Sequence, residues 1–233
     1  MRIAILSDIH GNLEGLRKAL EIVHEKQIDE IVCLGDTVGY GANPNECLEL
    51  LRQNTTFILM GNHDQAAIDI SVTEDFTQHA RSSAEWTART VTPENKEWIK
   101  NLPYTLERSG LLFVHASPFE PHEWHYILTP SDAQQGFQHF RQPICFVGHS
   151  HVAGMFCDDI WTRQVTQGKR FIVNVGSVGQ PRDRNPKLSF GIFDTEKWEY
   201  ENVRSDYDVQ TASEKIRKAG LPTPLAERIL EGR

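Results

Sequence analysis

Several things are scarce in this 233-residue sequence, and each scarcity excludes something. No apolar run approaches the ~20 residues of a membrane-spanning helix, so no span is expected. Residues 1–10 lack the basic start, apolar stretch and small-residue cleavage site of a secretory signal. They read instead as a working strand, and a mature chain beginning at Met1 is expected. Lysine and arginine form no block, and the net charge is −8, so non-specific nucleic-acid binding has no electrostatic support. The four cysteines, Cys33, Cys47, Cys145 and Cys157, include no Cys-x-x-Cys pair. Cys33 and Cys145 sit in apolar runs and read as buried thiols, so a reduced, cytoplasmic protein is the simplest expectation. Repeats, low-complexity tracts and linkers are also missing. One domain spanning 1–233 is therefore expected, long enough for a sizeable core.

What is present is a strand-and-helix alternation. Residues 2–8 read as a buried strand, 12–26 as an amphipathic helix and 28–34 as a second strand. This β-α-β unit predicts two parallel, adjacent strands. A helix is expected from Pro44 to about residue 53 and a third strand over 55–60. Residues 65–102 show no strand signal, and two helices fit there, about 75–90 and 94–101. That segment reads either as an insertion capping a site or as ordinary crossover packing. Further strands are expected over 109–114 and 144–147, with a short helix over 131–140 between them. From 163 to 205 the pattern turns to strands at 171–175, 188–193 and 198–204. Helices follow at about 208–219 and 224–231. Two β-sheet layers with helices outside are the expected architecture.

The chemistry gathers where the apolar runs end. Asp8 and His10 follow the first, Asp36 the second, Asn62 and His63 the third, His115 the fourth, and His149 and His151 the fifth. In α/β sheets the carboxyl ends of parallel strands are where sites form. Asp8 and His10, two residues apart, would project to one side if the strand continued through them. The donors are oxygen and nitrogen without thiolate, and with His63 set apart the remaining seven exceed one four-coordinate site. Two adjacent cations sharing one carboxylate would use them all. A net-acidic protein acting on an anionic substrate would need such local neutralisation.

These motifs resemble the calcineurin-like metallophosphoesterases, in their compact bacterial and archaeal phosphodiesterase form. The resemblance is carried by Asp8-x-His10, Gly35-Asp36, Gly61-Asn62-His63-Asp64, Val114-His115-Ala116-Ser117-Pro118 and Gly148-His149-Ser150-His151. The run from Asn174 to Asp183 adds to it, and together they cover residues 3 to about 195. The resemblance implies an α/β fold, a four-layer α/β/β/α sandwich of two mixed sheets flanked by helices. It implies that Asp8, His10 and His151 hold one metal, that Asn62, His115 and His149 hold the other, and that Asp36 bridges them. The metals implied are two divalent ions, Mn²⁺ first, with Fe, Zn, Ni or Co as alternatives. A water between two cations would lose a proton, because they stabilise hydroxide, and would attack phosphorus in line. His63 is the candidate general acid at the leaving oxygen, with Asp64 orienting its ring.

Other residues carry two readings each. Asn12 caps the first helix or reaches the phosphate, and Arg182 is a phosphate clamp or a solvated surface residue. Tyr40 and the Trp124–Tyr126 loop could stack on a substrate, although packing is the simpler role. The expected function is hydrolysis of a small or nucleotide-like phosphodiester. The same site would also suit a phosphomonoesterase, a phosphoprotein phosphatase or a dinucleoside polyphosphate hydrolase. A non-catalytic scaffold on this fold is the alternative from another class. A metal-dependent amide hydrolase is disfavoured, because no His-x-His opens the chain and no lysine ends a strand.

Overall fold

The computed structural model describes residues 1–55, 57–159 and 164–233. Its central strands are buried on both faces, and the period-two alternation assigns each face a partner. In β1 (Arg2–Leu6), Ile3 and Ile5 point to one side while Ala4 and Leu6 point to the other. Ala4 and Leu6 meet Leu16, Ala19 and Val23 of α1 (Leu13–Glu25). Ile3 and Ile5 meet Phe113, Phe146 and Phe171, which belong to a second sheet. Strands walled in this way lose the polar alternation of a half-exposed sheet and read as continuous apolar runs.

The first sheet has the order β10-β9-β1-β2-β3. Here β2 is Glu30–Cys33, β3 is Phe57–Ile58, β9 is Leu188–Asp194 and β10 is Glu199–Ser205. The β1, β2 and β3 strands run parallel, as the β-α-β pattern requires, and β9 and β10 join antiparallel. The second sheet has the order β4-β5-β6-β8-β7. Its members are β4 (Thr105–Arg108), β5 (Leu111–Val114), β6 (Ile144–Val147), β7 (Gly154–Cys157) and β8 (Phe171–Asn174). Parallel β5, β6 and β8 form its centre.

Helices cover both outer faces. α1 and α2 (Pro44–Asn54) lie on the first sheet, and α6 (Pro130–Gly136) packs Ala133 against Val114, Cys145 and Ile172 of the second. The result is two mixed sheets between helical layers, the expected sandwich. Of the described residues, none lies in a helix long and apolar enough to cross a membrane.

Two strands were not anticipated. Only Leu106 of β4 is apolar and partly covered, and β7 begins at an exposed glycine. Both are edge strands with one hydrogen-bonded neighbour, so little of their pattern is dictated by burial. Thr56, inside the third expected strand, and residue 163, where the strand-rich pattern was expected to begin, lie outside the described residues. Between β3 and β4 the chain forms α3 (Asn62–Ile68), a 3₁₀ turn (Ile70–Thr73), α4 (Gln78–Thr90) and α5 (Pro93–Ile99). Val91 and Ile99 pack against Val38, Leu48 and Met60, which is ordinary helix packing. The earlier part behaves differently, because Phe76 reaches the ring of His63 at 4.9 Å between centroids. α7 (Val209–Lys218) and α8 (Thr223–Glu231) form a pair that encloses Tyr40.

Candidate metal centre

The strands stop short of the functional residues. β1 ends at Leu6 and β6 at Val147, so Asp8, His10, His149 and His151 all lie on loops beyond them. Asp8, His10, Asp36, His149 and His151 take left-handed φ values of 51–64°. Such values are uncommon for residues other than glycine and cluster where surrounding structure enforces them. Asp8 and His10 therefore do not converge through the pleat of a continuing strand, as the period-two spacing suggested. Pleat geometry requires negative φ throughout, and the turn itself aims both side chains.

Glycine makes the approach possible. A Cβ on Gly61 would collide with the Asp36 carboxylate, and one on Gly148 would collide with Ser7 and Asp8. With both Cβ atoms absent, the loop after β3 closes on Asp36 and the loop after β6 closes on Asp8. Backbone amides then fix the carboxylates. The His63 N–H donates to Asp36 Oδ1 at 2.8 Å, and the His149 N–H donates to Asp8 Oδ2 at 3.0 Å.

The structure gathers Asp8, His10, Asp36 and His151 into one buried group, and Asp36, His115 and His149 into a second that shares Asp36. In the first group, His10 Nδ1 donates to the Val38 carbonyl at 3.1 Å and His151 Nδ1 to the Gln180 carbonyl at 2.6 Å. Those bonds leave each Nε2 as a bare acceptor facing inward. The two Nε2 atoms are 3.1 Å apart, His151 Nε2 is 3.2 Å from Asp8 Oδ1, and His10 Nε2 is 3.5 Å from Asp36 Oδ2. Ligands bound at about 2.1 Å to one ion and roughly at right angles stand about 3 Å apart, so these separations suit a shared cation.

Several buried acceptors have no hydrogen-bonding partner. They include Asp8 Oδ1, Asn62 Oδ1 and His149 Nε2. Leaving a buried polar atom unpaired costs about 1–3 kcal/mol, so three such acceptors at one place call for a ligand that accepts electron pairs. Divalent cations fit that requirement, and the residues present fit a pair of them.

Charge supports the same fit. Burial alone would raise both carboxyls, but His115 and His63 beside Asp36, and His151 beside Asp8, hold both below the usual carboxylate range. Burial pushes His149 down to about 3 and His10 well below its ordinary value. His151 is lowered by burial and by Arg182. These imidazoles are thus neutral, the form that binds metal. His115 differs: burial opposes its charge, yet Asp36 and Asp8 push it up to about 9. Metal entry would release that proton.

The remaining expected residues are placed as follows. His63 is buried among Tyr40, Phe76 and His10, and its Nδ1 has no partner. Burial pushes it down to about 4, so at neutral pH it is uncharged. Asp64 does not orient that ring. Its carboxylate accepts the Val38 and Gly61 amides, each at 3.1 Å, and ties together the loops after β2 and β3. Adjacent residues on a helix point about 100° apart and do not face each other, which the motif alone conceals. Asn12 is committed to structure. Its Oδ1 caps α1 at Gly15, and its amide donates to the Gly179 carbonyl and the Tyr207 hydroxyl. No donor remains for a phosphate. Arg182 lies over the Tyr40 ring at 5.7 Å and donates to Gln180. Tyr126 stacks on His149 with centroids 4.0 Å apart, while Trp124 donates to Gln65 and meets His115 edge-on.

Sequence reasoning passed over Gln180, whose carbonyl fixes His151, and Val38, whose carbonyl fixes His10. Both act through backbone oxygens, so their side chains carry no signal. It also passed over Arg228 and Arg233, which line a pocket of about 490 Å³ together with His63, Asn62 and His149.

A two-sheet sandwich whose strand-end loops converge on a carboxylate-bridged donor set defines a metal-dependent hydrolase site. The chain belongs to the calcineurin-like phosphoesterase superfamily, whose domain profile matches residues 1–198. It is 37% identical to an uncharacterized protein of Methanocaldococcus jannaschii, over 99% of this chain and 98% of that one. The crystal structure of a metallophosphoesterase from Sphaerobacter thermophilus is similar at 34% identity and a TM-score of 0.87, covering 100% of this chain and 99% of that one. Serine/threonine-protein phosphatase 1 of Salmonella typhimurium is 29% identical over 133 residues, 52% of this chain and 61% of that one. Family and buried His/Asp cluster together indicate a dinuclear divalent-metal site in a phosphoester hydrolase.

Proposed function

We propose that the protein is a phosphodiesterase that works with two divalent cations, Mn²⁺ being the first to test. Asp8, His10 and His151 would hold one cation, Asn62, His115 and His149 the other, and Asp36 would bridge them. The observation that carries this reading is the set of unpaired buried acceptors arranged as two groups around Asp36. When bound, the cations would supply activation of water and neutralisation of phosphate charge.

This chain's own side chains do the rest. The His63 and His149 amides hold the two carboxylates in place, so no reorganisation is needed during reaction. His63 faces the pocket as a neutral N–H group and serves the departing oxygen as donor. Arg182 stands beside the same floor and clamps a non-reacting phosphate oxygen. The pocket of about 490 Å³ has room for organic groups on both sides of a phosphate, which favours diesters. We take the chain to act as one domain, with the early part of segment 65–102 bordering the pocket, and to work in the cytoplasm on small or nucleotide-like substrates.

The second reading is a phosphomonoesterase or protein phosphatase, supported by the similarity to the Salmonella phosphatase. Steady-state hydrolysis of bis-p-nitrophenyl phosphate and p-nitrophenyl phosphate with Mn²⁺ separates the two. At least a tenfold higher kcat/KM on the diester is expected. A clear monoester preference would overturn the diesterase reading. Purified protein that takes up no metal after reconstitution would favour a scaffold instead.

A further inference from the structure

The pocket beside the donor groups has a second chemical character. Asn62, His63 and His149 line it, and so do Arg182, Arg228 and Arg233. A chain with net charge −8 thus concentrates three guanidinium groups in the lining of one cavity. Arg182 is occupied by Gln180 and Arg233 pairs with Glu231. Arg228 is half-buried on α8 and, among the described residues, has no side-chain hydrogen bond or ion pair. Burial, Arg182 and Arg233 all weigh against its charge, with only Tyr40 in its favour. Asp75 and Glu123 also line the pocket, yet among the described residues no ion pair joins either of them to an arginine.

An unpaired, half-buried guanidinium beside two others is a site that lacks its anion. Arginine stays charged under all physiological conditions and presents a planar fork suited to phosphate. Its position is built rather than accidental. α8 lies beyond residues 1–198 and is packed through Leu225, Ala226 and Ile229 onto Tyr40 and α7. Lys215 of α7 pairs with Glu14 of α1 and ties the two helices to the catalytic layer. The C-terminal helices therefore hold Arg228 at a fixed place beside Arg182.

We propose that Arg228, next to the Arg182 that clamps the reacting phosphate, forms an anion subsite that receives a second phosphate of the substrate. The substrates are then small phosphoesters that carry more than one phosphate, nucleoside polyphosphates among them. This rests on the phosphoesterase reading above: the reacting phosphate lies over Asn62 and His149, and the second extends along the pocket to α8.

The test is calorimetric titration of the Mn²⁺-loaded full chain with adenosine 5′-monophosphate and adenosine 5′-diphosphate at buffered free Mn²⁺. Wild type is expected to bind the diphosphate at least about tenfold more tightly than the monophosphate, the effect of one added charge-assisted contact. Arg228→Gln should bring that ratio to within about twofold of unity, and Arg228→Lys should lie between, because it keeps charge without the fork. Circular dichroism confirms that the variants are folded. A wild-type ratio near one overturns the proposal without any variant, as does an unchanged ratio in Arg228→Gln. Hydrolysis assays on the wild type stand apart. If no ester is cleaved, the hydrolase reading fails, while the binding ratio still decides the subsite.

Discussion

His63 and Asp64 are neighbours in one motif and do different things. His63 lines the pocket next to the donor groups, whereas Asp64 is fully buried and accepts two backbone amides from two loops. Replacing His63 with Ala should lower kcat by about 10²–10⁴, the usual contribution of a positioned proton donor, with metal content unchanged. Replacing Asp64 with Ala should instead destabilise the fold by about 2–4 kcal/mol, because two buried amides lose their acceptor. Denaturant unfolding and metal analysis of both variants check the contrast. A His63→Ala enzyme with wild-type kcat on every ester would remove the residue from the reaction. The pairing of His63 with Asp64 could not have been rejected from sequence, since adjacency in a motif says nothing about which way each side chain points.

At the scale of elements, what was legible is what burial dictates. Strands β1, β5, β6, β8 and β9 read as apolar runs because both their faces are covered, and α1 reads from its apolar stripe. β4 and β7 were missed because edge strands are only weakly constrained by packing. α3 was missed because it is short and begins inside the metal motif. The left-handed turns at Asp8, His10, Asp36, His149 and His151 have no sequence signature either, because they are imposed by contacts from distant segments. Helix ends were easier. Asp208 caps α7 through the Thr211 amide and hydroxyl, and those bonds hold its carboxyl below the usual range. A carboxyl lowered by folding stabilises above its unfolded pKa, and that contribution disappears as pH falls through the lowered folded value. Asp208→Ala should therefore melt at a lower temperature than wild type at pH 7, and the two curves should approach each other toward pH 2. A gap that stays constant with pH would mean that the charge of the cap contributes nothing.

Across the whole molecule, the two sheets meet through the Phe113, Phe146 and Phe171 cluster, while their loops meet through the donor groups. The first contact is apolar and complete without a ligand. The second places Asp8, Asp36 and five nitrogen or amide donors together, and buried atoms of Asp8, Asn62, His115 and His149 there have no hydrogen-bond partner. Cations would link loops from both sheets, Asp8, His10, Asp36 and Asn62 from the first and His115, His149 and His151 from the second. Metal that binds only the folded chain stabilises it by about 2.7 kcal/mol when present at a hundred times its Kd. For a chain of this size each kcal/mol corresponds to about 2–4 °C in Tm, so chelation should lower Tm by about 5–11 °C. Differential scanning calorimetry with and without EDTA measures this, and returning Mn²⁺ should restore the loss. The apolar interface between the sheets is unaffected by chelation, so unfolding should remain a single transition. An unchanged Tm after verified metal removal would mean that the donor groups do not clamp the two sheets together.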